Sequence, residues 1–404
     1  MTTHESDTIV TDGCPVANYG DVNRRGASVS ALWHFDNFDE HRERSPIWQG
    51  DANGHEFFML TRMKDIRATF QNHAVFSNSS VSPEDPDPPY KWIPEMLDPP
   101  IHTKWRQLLG PLFSPAAIAA LEPRVQARFD EIIDEIAGRG ECEFVQDVAL
   151  KFPNVIFMGL MGLPVSDADL FGEWETAILH GGRGTSQQGR LDAMNEVVQY
   201  FDALIAERRR NPQDDIVSRS LSWEIDGAKV TDEDLHAMCL LLFMAGLDTV
   251  AQQLTYSFFH LATHDDDRRR IVADPSLIPS ATEEFLRYYS FVTPARKVMS
   301  DTEVRGCPMH AGHMVYLPLV SANRDTDEFD RADEVVIDRA DNRHIAFGAG
   351  PHRCLGSHLA RQELRIAFEG WHRRIPEYRL KPGVEIHEHG GQVGLDNLSL
   401  IWDV

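Results

Sequence analysis

The longest regular feature of the chain is a proline-free, largely apolar segment between residues 231 and 264. It begins with Thr231, a residue type that caps helix N-termini, and acidic residues follow directly. The pattern predicts one long, largely buried helix over this range.

Shorter stretches in which apolar residues recur every three or four positions predict further helices. They lie at residues 102–113, 118–138, 168–179 and 193–210. Residues 291–343 instead alternate short apolar runs with Gly, Pro, Asn and Asp, which predicts short strands and irregular coil. We find no internal repeat, so we expect a mainly α, single-domain fold over residues 28–404 with a small strand-rich part. Residues 1–27 are polar and aperiodic, and are predicted to form an N-terminal arm.

Two segments are unsuited to regular structure. Residues 82–94 contain five prolines, which block helix interiors and sheet ladders and predict an extended loop. Residues 180–189 are rich in glycine but lack the lysine and the preceding strand of a phosphate-binding loop. We interpret this second segment as a flexible lid tip, and we expect both segments to close over a substrate.

Composition and charge narrow the class of protein. The chain is 42% hydrophobic and 25% charged, which is typical of a globular protein with a large core. A net charge of −24 disfavours nucleic acids and anionic membranes as partners. The N-terminal residues resemble neither a signal peptide nor a membrane span, so a cytoplasmic location is expected. The five cysteines are scattered without a Cys-x-x-Cys pair, so each is expected to act singly.

The most informative segment is FGAGPHRCLG, which runs from Phe347 to Gly356. Gly348 and Gly350 predict a tight loop, after which Cys354 opens a helix. A thiolate there would meet the helix dipole and free N–H groups, which lower its pKa and suit it to bind iron. A lone cysteine is more often structural, but the whole string is similar to the haem-binding loop of the cytochrome P450 family. That resemblance implies that Cys354 is the axial ligand of haem b.

Residues 245–249, AGLDT, resemble the oxygen-binding motif of the same family. Gly246 removes side-chain bulk and weakens the helical ladder, so that dioxygen or water can lie against the helix. The resemblance implies that Thr249 hydrogen-bonds dioxygen and that Asp248 feeds protons to it. Alone, these two residues could simply be polar positions on a helix edge.

Two further sets of residues match the family. The segment DPPIHTKWR implies that His102 and Arg106 bind one haem propionate, and Arg296 and His352 would bind the other. Buried anions of this kind require charge-assisted partners.

Glu284 and Arg287 match a structural Glu-x-x-Arg pair on one helical face. The family usually adds an arginine as a third partner, but Glu334 occupies the position that we would align with it. Arg339 is the plausible substitute.

The resemblance covers roughly residues 80–403 and is closest to the soluble bacterial, ferredoxin-dependent branch, in particular to the camphor-hydroxylase type. It implies an apolar substrate pocket, although the same apolar residues would also suit a core. The implied pocket residues are Tyr90, Leu241, Met244, Ala245, Val292 and Val393. Tyr90 could give a substrate oxygen a directional hydrogen bond.

The resemblance therefore implies a monomeric haem-thiolate monooxygenase that inserts one atom of O2 into a C–H bond of a small or medium apolar, terpenoid-like or fatty-acid-like molecule. The chain lacks a Gly-x-Gly-x-x-Gly nucleotide motif, so electrons are expected from NAD(P)H through a reductase and a ferredoxin of the 2Fe-2S type. A peroxide-driven peroxygenase and a haem sensor or carrier are the alternatives. Neither of them accounts for the pair of Asp248 and Thr249.

Overall fold

The computed structural model describes residues 28–404, apart from 53 and 181–186, together with two short strands at 9–11 and 14–16. Those strands pair antiparallel with each other. The rest of the predicted N-terminal arm lies outside the described residues, and the division of the chain at residue 28 stays a prediction. Most of the predicted lid tip, 180–189, also lies outside them.

The chain is mainly helical, as predicted, with 54% of it in helices. The helices are α1 Trp33–Arg44, α2 Met63–Gln71, α3 Ile101–Leu109, α4 Pro115–Ile136, α5 Lys151–Met161, α6 Ala168–Glu175, α7 Gln187–Arg210, α8 Ile216–Ser220, α9 Asp232–Gly246, α10 Asp248–Thr263, α11 Asp265–Ala273, α12 Ile278–Tyr288, α13 Leu319–Asn323 and α14 Ser357–Arg374.

The segment predicted as one long helix is two helices in the structure, which corrects the prediction. The break is at Leu247, with φ −95° and ψ −67°, directly after Gly246. A Cβ on Gly246 would lie 2.8 Å from Cδ2 of Phe157, so glycine is also required here for packing against α5. A glycine inside a helix costs about 1 kcal/mol relative to alanine, and the interruption occurs beside this weakest position.

The break lies between two parts of the core. One hydrophobic cluster contains buried residues of α4, α10, α12 and α14, while another contains those of α5, α6, α7 and α9. Asp232–Thr263 is long and apolar enough to cross a membrane, but its two helices belong to these buried clusters. We therefore read it as the central core helix pair.

The strands form several small sheets rather than one strand-rich part. They are β1 Ile9–Thr11, β2 Cys14–Val16, β3 Ser28–Ser30, β4 Ile47–Ala52, β5 His55–Leu60, β6 Phe76–Ser77, β7 Glu141–Glu143, β8 Glu224–Ile225, β9 Ala228–Lys229, β10 Ala295–Val298, β11 Thr302–Val304, β12 Cys307–Met309, β13 Met314–Tyr316, β14 Arg379–Leu380, β15 His387–His389, β16 Gly394–Leu395 and β17 Ser399–Ile401. The largest sheet has the order β4-β5-β13-β10-β6, in which β5 and β13 run parallel. Of the strands predicted at 291–343, β10 and β13 therefore pair with β6 and β5 from the first 80 residues, whereas β11 and β12 pair with each other.

A buried ionic network connects α12 to the segment before the cysteine loop. Glu284 accepts hydrogen bonds from Arg287 Nε at 2.9 Å and Nη2 at 2.8 Å. Arg339 Nε donates to the same carboxylate at 2.9 Å, which confirms Arg339 as the third partner. Arg287 also donates to the carbonyl of Asn323, whose own Oδ1 accepts the N–H of Ile345 at 2.7 Å. The network thus fixes the backbone that leads into the cysteine loop.

Cysteine usage differs in one respect from the expectation that each cysteine acts singly. Cys142, Cys239 and Cys354 carry free thiols. Cys307, at the start of β12, is disulfide-bonded. The expectation is therefore wrong for Cys307, because odd, scattered cysteines do not exclude one long-range pair.

Candidate active site

A cavity of about 520 Å³ lies between the cysteine loop and the α9–α10 pair. Cys354 and the loop residues Phe347, Gly348 and Gly356 line one wall. Ala245, Gly246 and Thr249 line another, and His102, Arg106, Arg296 and His352 contribute a basic part. The structure thus brings together most of the residues that the sequence assigned to one site.

The cysteine loop has the tight backbone that its glycines predicted. Gly350 has φ +72°, and a Cβ there would overlap the carbonyl oxygen of Phe70. Cys354 N–H donates to the carbonyl of Phe347 at 2.8 Å, which closes the loop. The following helix begins at Ser357, so Cys354 precedes it by one turn and does not open it as predicted. The N–H groups of Arg353 and Cys354 are used inside the loop, where they bond to the carbonyls of Gly350 and Phe347.

The Cys354 thiol is exposed into the cavity although it lies deep in the protein. Burial raises the pKa of this thiol, while the N–H of Gly356 and the charge of Arg106 act in the opposite direction. The prediction of a lowered thiol pKa is therefore wrong for this structure, since loss of solvation outweighs the favourable dipoles. The sulfur nevertheless faces open space with an N–H donor behind it, as a metal-binding thiolate requires.

The basic part of the cavity is built from three elements. His102 and Arg106 lie on α3, Arg296 on β10 and His352 in the turn before Cys354. The rings of His102 and His352 are 3.9 Å apart, and His102 Nδ1 and both ring nitrogens of His352 are buried without hydrogen-bond partners. Burial lowers the pKa of His102 to about 4 and that of His352 to about 2, with neighbouring cations acting in the same direction.

These residues fit two carboxylates of a bound group. Arg296 is 3% exposed, and burial lowers its pKa to about 10, which leaves it charged at neutral pH. A buried guanidinium of this kind requires an anionic partner. The two arginines and the two imidazoles with unpartnered nitrogens therefore suit the propionates of haem b, while Cys354 suits its iron.

A carboxyl group that the sequence did not single out lies in the same basic part. Glu95 lines the cavity and accepts a hydrogen bond from Asn78 Nδ2 at 2.9 Å. Its Oε2 is 4.0 Å from Nδ1 of His352. Burial raises the pKa of Glu95, although Arg296 and Arg106 oppose that effect. No local pattern distinguishes Glu95 from the other acidic residues of the proline-rich region.

Thr249 and Asp248 face different surroundings. Thr249 lines the cavity, and its Oγ1 donates to the carbonyl of Ala245 at 3.0 Å. Asp248 is 1% exposed and is not part of the cavity wall. Its two carboxylate oxygens accept hydrogen bonds from Gln252 at 3.0 Å and Gln392 at 2.8 Å. The spacing of four residues could have indicated Gln252, whereas Gln392 is distant in sequence.

A second buried carboxyl lies near Asp248. Glu175, at the end of α6, is 4% exposed, and its Oε1 has no hydrogen-bond partner. Burial and the charge of Asp248 raise the pKa of Glu175 well above its usual value. Ionisation of Asp248 therefore disfavours ionisation of Glu175.

The substrate part of the cavity differs from the prediction at two residues. Leu241, Met244, Ala245 and Val292 line the cavity as predicted. Val393 is 2% exposed and packs into the core instead.

Tyr90 is also absent from the cavity wall, where Arg190 of α7 is found. Arg190 Nη2 donates to the Tyr90 hydroxyl at 3.1 Å, and the guanidinium lies 5.5 Å from the centre of the Tyr90 ring. The tyrosine ring stacks on Trp92 with centroids 5.4 Å apart. Tyr90 thus positions Arg190 and does not itself face the cavity.

Comparison with known proteins identifies the family of the chain. A family profile described as "Cytochrome P450" matches residues 183–382. The chain is 35% identical to the "Probable cytochrome P450 127A1" of Sinorhizobium fredii, over 90% of this chain and 88% of that protein. It is 33% identical to the "Vitamin D(3) 25-hydroxylase" of Pseudonocardia autotrophica, over 84% of this chain and 83% of that protein. The crystal structure of CYP101J2 covers 100% of both chains, with 30% identity and a TM-score of 0.87.

Proposed function

Since the chain belongs to the cytochrome P450 family of monooxygenases, we propose that its cavity inserts one oxygen atom of O2 into a C–H bond of a small or medium apolar substrate. Proteins of this family bind haem b, and a cysteine thiolate on its iron favours cleavage of the O–O bond. The observation that carries the proposal is the cavity itself. It joins the Cys354 sulfur, the basic part and the wall formed by Ala245, Gly246 and Thr249.

Two sets of residues would hold haem b in this cavity. Cys354 would bind the iron, and the carbonyl of Phe347 would keep the loop closed by accepting the N–H of Cys354. His102, Arg106, Arg296 and His352 would bind the propionates. Replacing Cys354 by serine should remove the thiolate-type absorption of the reduced carbon monoxide complex, and persistence of that absorption would contradict the assignment.

We assign oxygen activation to Thr249 and Asp248. In this structure the Thr249 proton is donated to the Ala245 carbonyl, so the hydroxyl oxygen can accept a hydrogen bond from a water or a protonated oxygen in the cavity. Asp248 would exchange protons with that water after leaving its contacts with Gln252 or Gln392. The carboxylate is therefore held in a resting position, ready to turn toward the cavity.

The test compares matched threonines on α10. Thr249→Ala should retain haem and substrate binding but divert reducing equivalents from NADH to hydrogen peroxide. Thr255 donates the same kind of hydrogen bond, to the Ala251 carbonyl at 2.8 Å, but lies in the core. Thr255→Ala should therefore stay coupled, and equal coupling in the two variants would overturn the role of Thr249. Asp248→Asn should slow oxygen consumption more than it uncouples it.

The residues that line the substrate part of the cavity suit an apolar molecule with one polar end. Leu241, Met244 and Val292 would contact hydrocarbon, while Arg190 would bind an oxygen of the substrate through its guanidinium. Terpenoid-like and fatty-acid-like molecules both satisfy this description. A screen for compounds that convert the haem from low spin to high spin would test it, using the parent protein and Arg190→Leu. Apolar compounds with a carbonyl or carboxylate should lose affinity in Arg190→Leu, whereas hydrocarbons should not.

We propose that electrons come from NAD(P)H through a reductase and a ferredoxin that docks on the cysteine side. The arginines near the cysteine loop that could make this contact are Arg106, Arg353, Arg361 and Arg365. Arg361 is bonded to Glu283 at 2.6 and 2.8 Å, and Arg106 lines the cavity, so Arg353 and Arg365 are the exposed candidates. We also propose, from the sequence alone, that the enzyme is monomeric and cytoplasmic.

Rates of haem reduction test the docking surface. Reduction by a ferredoxin should slow with rising salt, since exposed charges are screened over about 10 Å at 0.1 M salt. Arg353→Gln and Arg365→Gln should lower the rate at low salt, whereas Arg219→Gln removes an equal charge from α8 and should not. A rate independent of salt would contradict the proposal. Product formation with these partners, but not with peroxide alone, separates a monooxygenase from a peroxygenase or a haem carrier.

A further inference from the structure

An ionised Glu95 would leave the charges in the basic part of the cavity unbalanced once haem is bound. Two permanent cations, Arg106 and Arg296, face it, and two haem propionates would already balance their charge. An ionised Glu95 would add an uncompensated negative charge inside a site that haem closes off from water. Isolated buried charges are strongly unfavourable, and a carboxyl group avoids the cost by remaining protonated.

The contacts of Glu95 indicate which of its two carboxyl oxygens would carry the proton. Oε1 accepts the Asn78 amide at 2.9 Å, so it is the oxygen that carries no proton. Oε2 is 4.0 Å from Nδ1 of His352, beyond hydrogen-bond distance, and the centre of the His102 ring is 3.9 Å from that of His352. Two further acidic groups lie near: Asp98 accepts the Asn78 backbone N–H at 3.1 Å and acts on the same Arg296, and the charges of Cys354 and Glu95 disfavour each other.

We propose that Glu95 is a neutral carboxylic acid that donates a hydrogen bond from Oε2 to a haem propionate and takes part in proton uptake when the haem is reduced. The residue positions the cofactor and is not itself catalytic. Reduction adds one negative charge to the haem, which strengthens the preference of Glu95 for its proton. In the oxidised protein the carboxyl then loses its proton at a lower pH than in the reduced protein. Between those two pH values, each electron taken up brings a proton with it.

The sign of the effect follows from this linkage. Because the reduced protein binds more protons than the oxidised one in that range, the midpoint potential of the haem should fall as pH rises. A glutamine at position 95 has the same shape and retains an N–H donor, but it cannot titrate. Glu95→Gln should therefore keep haem and lose the pH dependence of the potential.

The experiment is a spectroscopic redox titration of the full-length, haem-loaded protein, repeated from mildly acidic to mildly alkaline pH. The matched control is Glu363→Gln, because Glu363 is also a buried carboxyl in the cavity wall but only desolvation raises its pKa. The parent and Glu363→Gln should show the same fall in potential with pH, and Glu95→Gln should show none. A parent potential that does not vary with pH, or a fall that persists in Glu95→Gln, would overturn the proposal.

A second measurement on the parent protein covers the case in which Glu95→Gln does not retain haem. Infrared difference spectra between the reduced and oxidised protein should contain the C=O stretch of a protonated carboxyl group, and absence of that band would also overturn the proposal. The inference rests on haem binding in this cavity, and not on the substrate or the electron donor proposed above. A haem-loaded, oxygenating protein with a pH-independent potential would therefore refute the role of Glu95 and leave the proposed function intact.

Discussion

Replacing Glu284 by glutamine tests the ionic network that holds the backbone before the cysteine loop. Glu284 and Arg287 are both 0% exposed, and five hydrogen bonds reach the Glu284 carboxylate. Glutamine fills the same volume but removes the negative charge, so Arg287 and Arg339 face an uncharged amide. Breaking a buried ion pair on one side costs about 3–5 kcal/mol. That is a large part of the 5–15 kcal/mol that stabilises a typical domain, taken as an order of magnitude.

The matched control is the neighbouring residue Glu283. Its carboxylate pairs with Arg361 and His344, but its side chain is 33% exposed. Exposed ion pairs contribute about 0–1 kcal/mol, so Glu283→Gln should have a small effect. The two variants remove the same charge from consecutive positions of α12 and differ mainly in burial.

The assay is urea unfolding of the haem-loaded proteins, followed by haem absorbance and by circular dichroism. With a slope of about 3 kcal/mol per M, Glu284→Gln should lower the urea midpoint by about 1 M or more. Haem should be released at a lower urea concentration as well, because Arg287 is linked through Asn323 to the N–H of Ile345. Equal midpoints for the Glu284 and Glu283 variants would refute the reasoning.

Three further predictions concern packing and pH. Gly350→Ala should give protein that takes up little haem, because φ is +72° and a Cβ would overlap the Phe70 carbonyl; haem content per chain measures this. Gly246→Ala should destabilise the fold through its 2.8 Å contact with Phe157, and Phe157→Leu in the same chain should restore part of the urea midpoint. His372 has a pKa lowered by burial from 6.5 to about 4, so the unfolded chain binds more protons between those values. Stability should therefore fall by about 3 kcal/mol as pH drops through that range, and His372→Gln should lose less.

The parts of the site that could be predicted depend on residues close together in the chain. The cysteine loop and the AGLDT motif carry their geometry within ten residues, and both contribute residues to the cavity lining, Cys354 and Thr249 among them. Arg339 could be named because the family usually has a third arginine and Glu334 stands at its aligned position, and Arg339 does bond to Glu284. The helix start was predicted at Cys354 but lies at Ser357, since the Cys354 N–H bonds back to the Phe347 carbonyl within the loop.

The remaining features depend on contacts between distant segments. The parallel pairing of β5 with β13 joins residues 57–59 to 314–316, and no local pattern specifies it. Tyr90 has an apolar ring that suits a pocket, but it lies behind Arg190, a residue on a helix about 100 positions later. Glu95 has an ordinary sequence context, and its importance comes from Arg106, Arg296 and His352 arriving from three elements.

The position of Asp248 bears on how protons would reach the cavity. Neighbouring residues of a helix project about 100° apart, so Thr249 can line the cavity while Asp248 is turned away from it. Because Asp248 is 1% exposed, bulk water does not reach its carboxylate directly. Burial and the charge of Asp248 raise the pKa of Glu175. The relay that we propose therefore joins a carboxylate held by two glutamines to a hydroxyl that lines the cavity.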